Sequence, residues 1–144
     1  MTSKAVENQI KDVINKYLKS IDEAENIYLA EEIWSDSNEV SFIHPRGHER
    51  GWEEVKQNFY FGTMRDLLSK RKLELVNDIS IQAYGDVAIA EFYWEFNATF
   101  KTDGEPLTTK GRETQVLHKT EDRGWVIVHV HYSNMPVTGE REGF

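Results

Sequence analysis

The sequence predicts an α+β fold, three helices followed by a meander of long antiparallel strands, on three observations. Apolar residues recur every three or four positions through most of the stretch from Ser3 to Lys72, the period of one helix face. From Leu73 onward the period changes to two, the alternation of a strand with one buried side. Between the alternating runs stand Gly85-Asp86, Asp103-Gly104 and Arg123-Gly124, pairs that form tight turns between antiparallel neighbours. Helices gathered on one face of a curved sheet bury both kinds of apolar surface.

The elements follow in order. Val6, Ile10, Val13, Ile14, Tyr17, Leu18 and Ile21 make the stripe of a first helix. Asp22 with Glu25 resembles a capping box, and Ala24, Ile27, Tyr28 and Ile33 carry a second, shorter helix. Ser35-Asp36-Ser37-Asn38 stops it, Val40-Ser41-Phe42-Ile43 is a short strand, and His44-Pro45-Arg46-Gly47 bends away because proline cannot donate to a ladder. Gly51 opens a third helix, with Glu53 and Glu54 in its positive first turn and Lys70, Arg71 and Lys72 near its negative end. Four strands are expected at Leu73–Ala83, Val87–Phe100, Leu107–Lys119 and Trp125–Ser133. In the last, Val126, Val128, Val130 and Tyr132 alternate with Trp125, Ile127, His129, His131 and Ser133. Met135 onward, with Pro136 and two glycines, reads as a loose tail.

A chain of 144 residues suits one domain, expected at residues 1–136 with a tail at 137–144, and 39% hydrophobic with 29% charged residues is a globular composition. The net charge of −8 repels a phosphate backbone and an anionic membrane surface, so neither nucleic acid nor membrane is expected as a partner. With no cysteine, disulfide scaffolds, thiolate nucleophiles and Cys-zinc sites are excluded. Polar and acidic residues fill the N-terminus where a secretory leader needs an apolar run, and a cytoplasmic protein is the expectation.

Phe42-Ile43-His44-Pro45, Gly51-Trp52, Gly111-Arg112-Glu113-Thr114 and the run from Gly124 to Ser133 with its final His-x-His-x-Ser resemble SnoaL-like domains of the nuclear transport factor 2-like superfamily. The resemblance spans roughly residues 5 to 136. Phe59-Tyr60-Phe61, Leu67-Leu68-Ser69-Lys70, Thr108-Thr109 and Glu113-Thr114 are most similar to the association domain of calcium/calmodulin-dependent kinase II. The resemblance implies a cone, or cystatin-like roll, in which a curved antiparallel sheet wraps three N-terminal helices. It also implies a pocket at the open end and a homodimer formed on the outer face of the sheet. Positions that carry pocket arginines in the kinase domain align with Asn97, Gln115 and Tyr132 here, none of them cationic.

The candidate site gathers Tyr93, Glu95 and Asn97, which share a strand face with Glu91, together with Arg112, Gln115, His131 and Tyr132 on neighbouring strands and Tyr60 on the third helix. A two-residue Asp103-Gly104 turn places Glu95 opposite Arg112, and a three-residue loop reverses that relationship. Facing the interior, the pair orients a polar ligand; facing outward, it is a cross-strand ion pair worth at most about 1 kcal/mol. The apolar face Ala88, Ala90, Phe92, Trp94, Phe96, Ala98 packs on the helices by its pattern, whereas the resemblance turns Asn97 toward the pocket; a β-bulge or a dimer that buries the aromatic face reconciles the two, and the dimer is the expectation. His129 and His131 lack a third ligand at recognisable spacing, so no metal is expected. His44 is a loop histidine or an acid-base group at the pocket mouth. Trp52 and Tyr60 are core residues or a wall over the ligand, and Asp36 is a helix-end residue or a catalytic base.

These readings lead to a homodimeric protein binding a small, partly apolar organic molecule, without a cofactor. The alternatives are an isomerase- or hydrolase-type enzyme with Glu91, Glu95 or a histidine as general base, and an assembly module like the kinase domain. An enzyme requires a pocket carboxyl whose pKa is raised by desolvation.

Overall fold

The computed structural model describes residues 2–144. Ser3 opens α1 (Lys4–Asp22), its hydroxyl accepting from the Val6 N–H at 3.2 Å and satisfying a donor that a helix start leaves free. The expected stripe is buried at Ile10, Ile14, Tyr17 and Ile21. The expected capping box does not form. Asp22 ends α1 and accepts from the Leu73 backbone N–H at 2.7 Å, and Asn26 precedes α2 (Ile27–Ile33) without a side-chain cap.

β1 (Ser41–His44) and β2 (Gly47–Arg50) form a hairpin around Pro45 and Arg46; the short, polar β2 carries no apolar alternation that would reveal it. α3 begins as Trp52–Glu54 and widens into a π-helix over Val55–Arg65. Its i→i+5 winding puts Phe59 and Met64, five residues apart, toward one space.

The third helix ends well short of Lys72, and buried Arg71 shows why. Its Nε donates to the Ile21 carbonyl at 2.9 Å, and its Nη1 to the Met64 and Leu68 carbonyls, each at 2.7 Å. Carbonyls near the ends of α1 and α3 lack intrahelical partners, and one guanidinium fork satisfies several of them. Nη2 adds a 2.5 Å bond to Glu25. The chain then continues as β3 (Leu68–Leu75), and the single strand expected at Leu73–Ala83 is two. β3 pairs with Trp94–Phe100 of β5 (Val87–Phe100), and β4 (Ser80–Tyr84) pairs with its other half.

With β6 (Pro106–Thr120) and β7 (Gly124–Asn134), the sheet has the order β2-β1-β7-β6-β5-β3, with β4 also on β5. All neighbours are antiparallel except β1, which runs parallel to β7 with Ser41 opposite His129. The curved sheet and helices form the α+β cone.

Ala88, Ala90, Phe92, Trp94, Phe96 and Ala98 are all buried within the single chain. The face assigned above to a dimer is therefore the sheet's inner lining: hydrophobic patterning decides, and no partner is needed to cover it. The alternation expected in β7 is also corrected. The register against β6 shifts between Val116 and Leu117, pairing them with His129 and Ile127 and leaving Val128 as an extra residue. This β-bulge puts Trp125 and Ile127 on the same side as Val130 and Tyr132.

Candidate functional site

Between α1, the third helix and the inner face of the sheet lies a cavity of about 290 Å³. α1 contributes Tyr17 and Ile21, the π-helix Phe59, Thr63 and Met64, and the inner strands Trp94, Phe96, Glu113 and Tyr132. Pro45 and Arg46 of the β1–β2 turn stand at its edge.

Glu113 occupies an inward position of β6, opposite Phe92 on β5 and Tyr132 on β7, and is 5% exposed. Gln115 Nε2 donates to its Oε2 at 2.6 Å, and the Tyr17 hydroxyl is near enough to influence its ionisation. Among the described residues no cation balances it. Burial raises its pKa to about 8, against the opposing effects of the Gln115 bond and of Tyr17. Below that value the neutral acid predominates, with an O–H to donate. Burial likewise raises the hydroxyls of Tyr17 and Tyr132, with Glu113 adding to both shifts and Arg46 moderating that of Tyr132.

Trp94 meets Tyr132 edge-on at 5.4 Å and lies across Gly111. A Cβ on Gly111 would sit 2.4 Å from Trp94 Cζ2 and 2.3 Å from the Ser133 carbonyl, so only glycine admits the indole there. Trp94 Nε1 and Gln115 Oε1 are buried with no hydrogen-bond partner among the described residues.

Behind Tyr132 lies a polar chain. His44, its ring stacked at 6.1 Å on Tyr132, bonds through Nε2 to Glu49 Oε2 at 2.5 Å, and Asn58 donates to Glu49 Oε1 at 3.0 Å. His44 Nδ1 accepts from the Arg46 backbone N–H at 3.2 Å. That fixes the tautomer with the proton on Nε2. Burial lowers the His44 pKa, with the Glu49 bond opposing. Both ring nitrogens are engaged, so His44 holds the mouth turn rather than offering a free acid-base atom to the cavity.

The profile of SnoaL-like domains matches residues 10–138. The chain belongs to the SnoaL-like family. Among solved structures, a nuclear transport factor 2-like superfamily protein from Salmonella enterica serovar Typhimurium LT2 is 46% identical, covering 99% of this chain and 100% of the other, with a TM-score of 0.96. The association domain of C. elegans CaMKII is 24% identical over 91% of this chain and 97% of its own, with a TM-score of 0.69. A candidate ketosteroid isomerase from Shewanella frigidimarina is 21% identical over 85% and 92%, with a TM-score of 0.66. At these lower identities the likeness is one of fold. No curated protein sequence matches the chain.

In this SnoaL-like chain the expected site residues are divided between two faces. Tyr132 lines the cavity and Gln115 supports Glu113 from the inner face. Tyr60 is buried beside the cavity, its hydroxyl bonded to Ser20 Oγ at 2.8 Å and taking the Trp34 Nε1–H at 3.0 Å. Tyr93, Glu95, Asn97, Arg112 and His131 share the outer face with Glu91. Arg112 is opposite Tyr93 and Ser133, while Glu95 faces Lys110 with Nζ to Oε1 at 3.9 Å. Asn97 Oδ1 accepts from Thr108 at 2.7 Å. The β5–β6 loop is longer than either expected turn: the Phe100 N–H bonds to the Glu105 carbonyl, and Glu95 and Arg112 stay on one face two positions out of register. Asp36 is exposed. Among the described residues no cluster is placed to hold a metal, and no helix is long and apolar enough to cross a membrane.

Tyr17, Trp94 and Glu113 were missed as site residues. One signal was present: Glu113 shares its strand parity with Gly111, Gln115 and Leu117, a mostly non-charged face on which a carboxyl stands out.

Proposed function

We propose that this SnoaL-like protein binds a small, largely apolar molecule in the cone and hydrogen-bonds a carbonyl or similar acceptor on it through the neutral carboxyl of Glu113. The supporting observation is a buried acid with a pKa raised to about 8 at the wall of an aromatic-lined cavity. Apolar walls with a few convergent polar groups are the general form of a small-molecule site. Calorimetry with the bicyclic ketone 1-decalone tests this. Binding that weakens about tenfold in Glu113→Met supports it, since a hydrogen bond to a neutral group is worth roughly that much. Equal binding by both proteins, or none, overturns it.

A second reading rests on the same pKa. An acid titrating near neutrality is matched to proton transfer, and with Tyr17 beside it Glu113 would stabilise a developing oxyanion. A tyrosine paired with a neutral carboxylic acid performs that task in ketosteroid isomerase, which gives the Shewanella neighbour its interest. Here Glu113 is the only carboxyl among the described cavity-lining residues, so it would have to serve as acid and base in turn.

The outer face, where Tyr93 is 41% exposed opposite Arg112 and two residues from Glu91, is our candidate for the homodimer contact, because it joins an exposed aromatic ring to charges of both signs. Light scattering with size exclusion distinguishes a dimer from a monomer or a larger assembly.

A further inference from the structure

Among the described residues that line the cavity, Arg46 is the one cation. It stands at the edge on the β1–β2 turn, exposed, and its guanidinium has no hydrogen-bond or ion-pair partner among the described residues. Its charge reaches the interior, where it draws the Tyr132 pKa down against the effect of burial. Glu49, three residues along the hairpin, does not neutralise it, because Oε2 is taken by His44 and Oε1 by Asn58. The same chain pins the turn, for His44 Nδ1 accepts the Arg46 backbone N–H at 3.2 Å while Nε2 holds Glu49. A free guanidinium on a fixed turn is preorganised for an anion.

Asn134 joins it. β1 runs parallel to β7 with Ile43 opposite His131, so Arg46 and Asn134, each three residues further on, come to the same end of the sheet. Both are exposed lining residues, and no side-chain hydrogen bond occupies the Asn134 amide among the described residues. Resting on the ligand-binding reading above, we propose that the ligand is an oxo acid: its carboxylate sits at the edge of the cavity on the Arg46 guanidinium and the Asn134 amide, and its carbonyl reaches inward to Glu113. The spacing follows from the register. Glu113 is opposite Tyr132, two residues before Asn134 on β7, and two residues of strand cover roughly 7 Å. A carbonyl and a carboxylate on opposite sides of a six-membered ring span a similar length. A carboxylate suits the planar guanidinium fork. With one cation available, a doubly charged phosphate would keep excess charge beside a chain of net charge −8.

The matched probes are 4-acetylbenzoate and 4-acetylbenzamide, alike in ring and ketone and different in charge. By calorimetry at pH 7 the native protein should bind the acid roughly fivefold more tightly, the upper end for an ion pair open to solvent. Arg46→Gln should bring the two affinities together, whatever it does to each. Lys119→Gln, which removes a like charge from the exposed far end of β6, should keep the margin. Equal affinities in the native protein, a margin that survives Arg46→Gln, or one that Lys119→Gln also erases overturns the inference and leaves the Glu113 reading intact. So does a protein that binds 1-decalone and neither aryl probe. Failure of all three ligands overturns both. Should Arg46→Gln not fold, salt gives the answer in the native protein. Raising sodium chloride from about 0.02 to about 0.5 M should shrink the margin as the pair is screened, and a margin indifferent to salt refutes the proposal.

Discussion

Gln115 Nε2 donates to Glu113 Oε2 at 2.6 Å from two residues along the same strand face, yet Glu113 remains a weak acid because burial outweighs the bond. The balance has a consequence for folding. An unfolded chain ionises this carboxyl near 4.5 and the folded protein near 8, so between those values the folded state holds one more proton. Stability is complete below the lower value and falls as pH rises through the window, by about 1.4 kcal/mol per pH unit. Glu113→Gln should lack this slope. Urea denaturation of both proteins at pH 5, 6.5 and 8 checks it; parallel pH profiles would contradict it.

Binding should follow the same proton. Once Glu113 ionises it can no longer donate, and the affinity for 1-decalone should fall by up to tenfold per pH unit above about 8. Calorimetry from pH 6 to 10 measures it, with Glu113→Gln expected to remain flat.

Gly111→Ala should destabilise the fold by about 1–3 kcal/mol, the range for overpacking a filled site, because the new methyl meets both Trp94 and the Ser133 carbonyl. Urea midpoints read the loss. A neutral result would mean that the indole does not rest on this glycine.

Arg71→Met should cost on the order of 3–5 kcal/mol, since the Ile21, Met64 and Leu68 carbonyls lose their donor together. Glu25→Gln should cost under about 1 kcal/mol, because that partner is largely exposed. Guanidinium denaturation separates the two variants; equal losses would place the energy in the ion pair instead of the carbonyls.

The architecture was legible where the pattern was strict. The parity from Ala88 to Ala98 separates an apolar face of β5 from a polar one, though the expectation set that face in a dimer and the structure turns it inward, and Gly85, Gly104 and Gly124 all have positive φ at the turns their sequence contexts suggest. Legibility failed where a non-local partner decides. Leu67 and Leu68 continue a helical stripe, but pairing of Leu68 with Phe100 and the carbonyls gathered by Arg71 favour a strand there. In β7, one extra residue at Val128 reassigns the faces, an event that alternation alone cannot reveal. The outward cluster at Glu95 and Arg112 drew attention because charge is conspicuous, whereas Glu113 matters because the residues around it exclude water.

Whether Glu113 is protonated inside the cone near neutral pH can be read from a 13C NMR titration of the glutamate side-chain carboxyls. One carboxyl, absent from Glu113→Gln, should titrate with a midpoint near 8. A Glu113 resonance titrating with the other glutamates near 4.5 would contradict it.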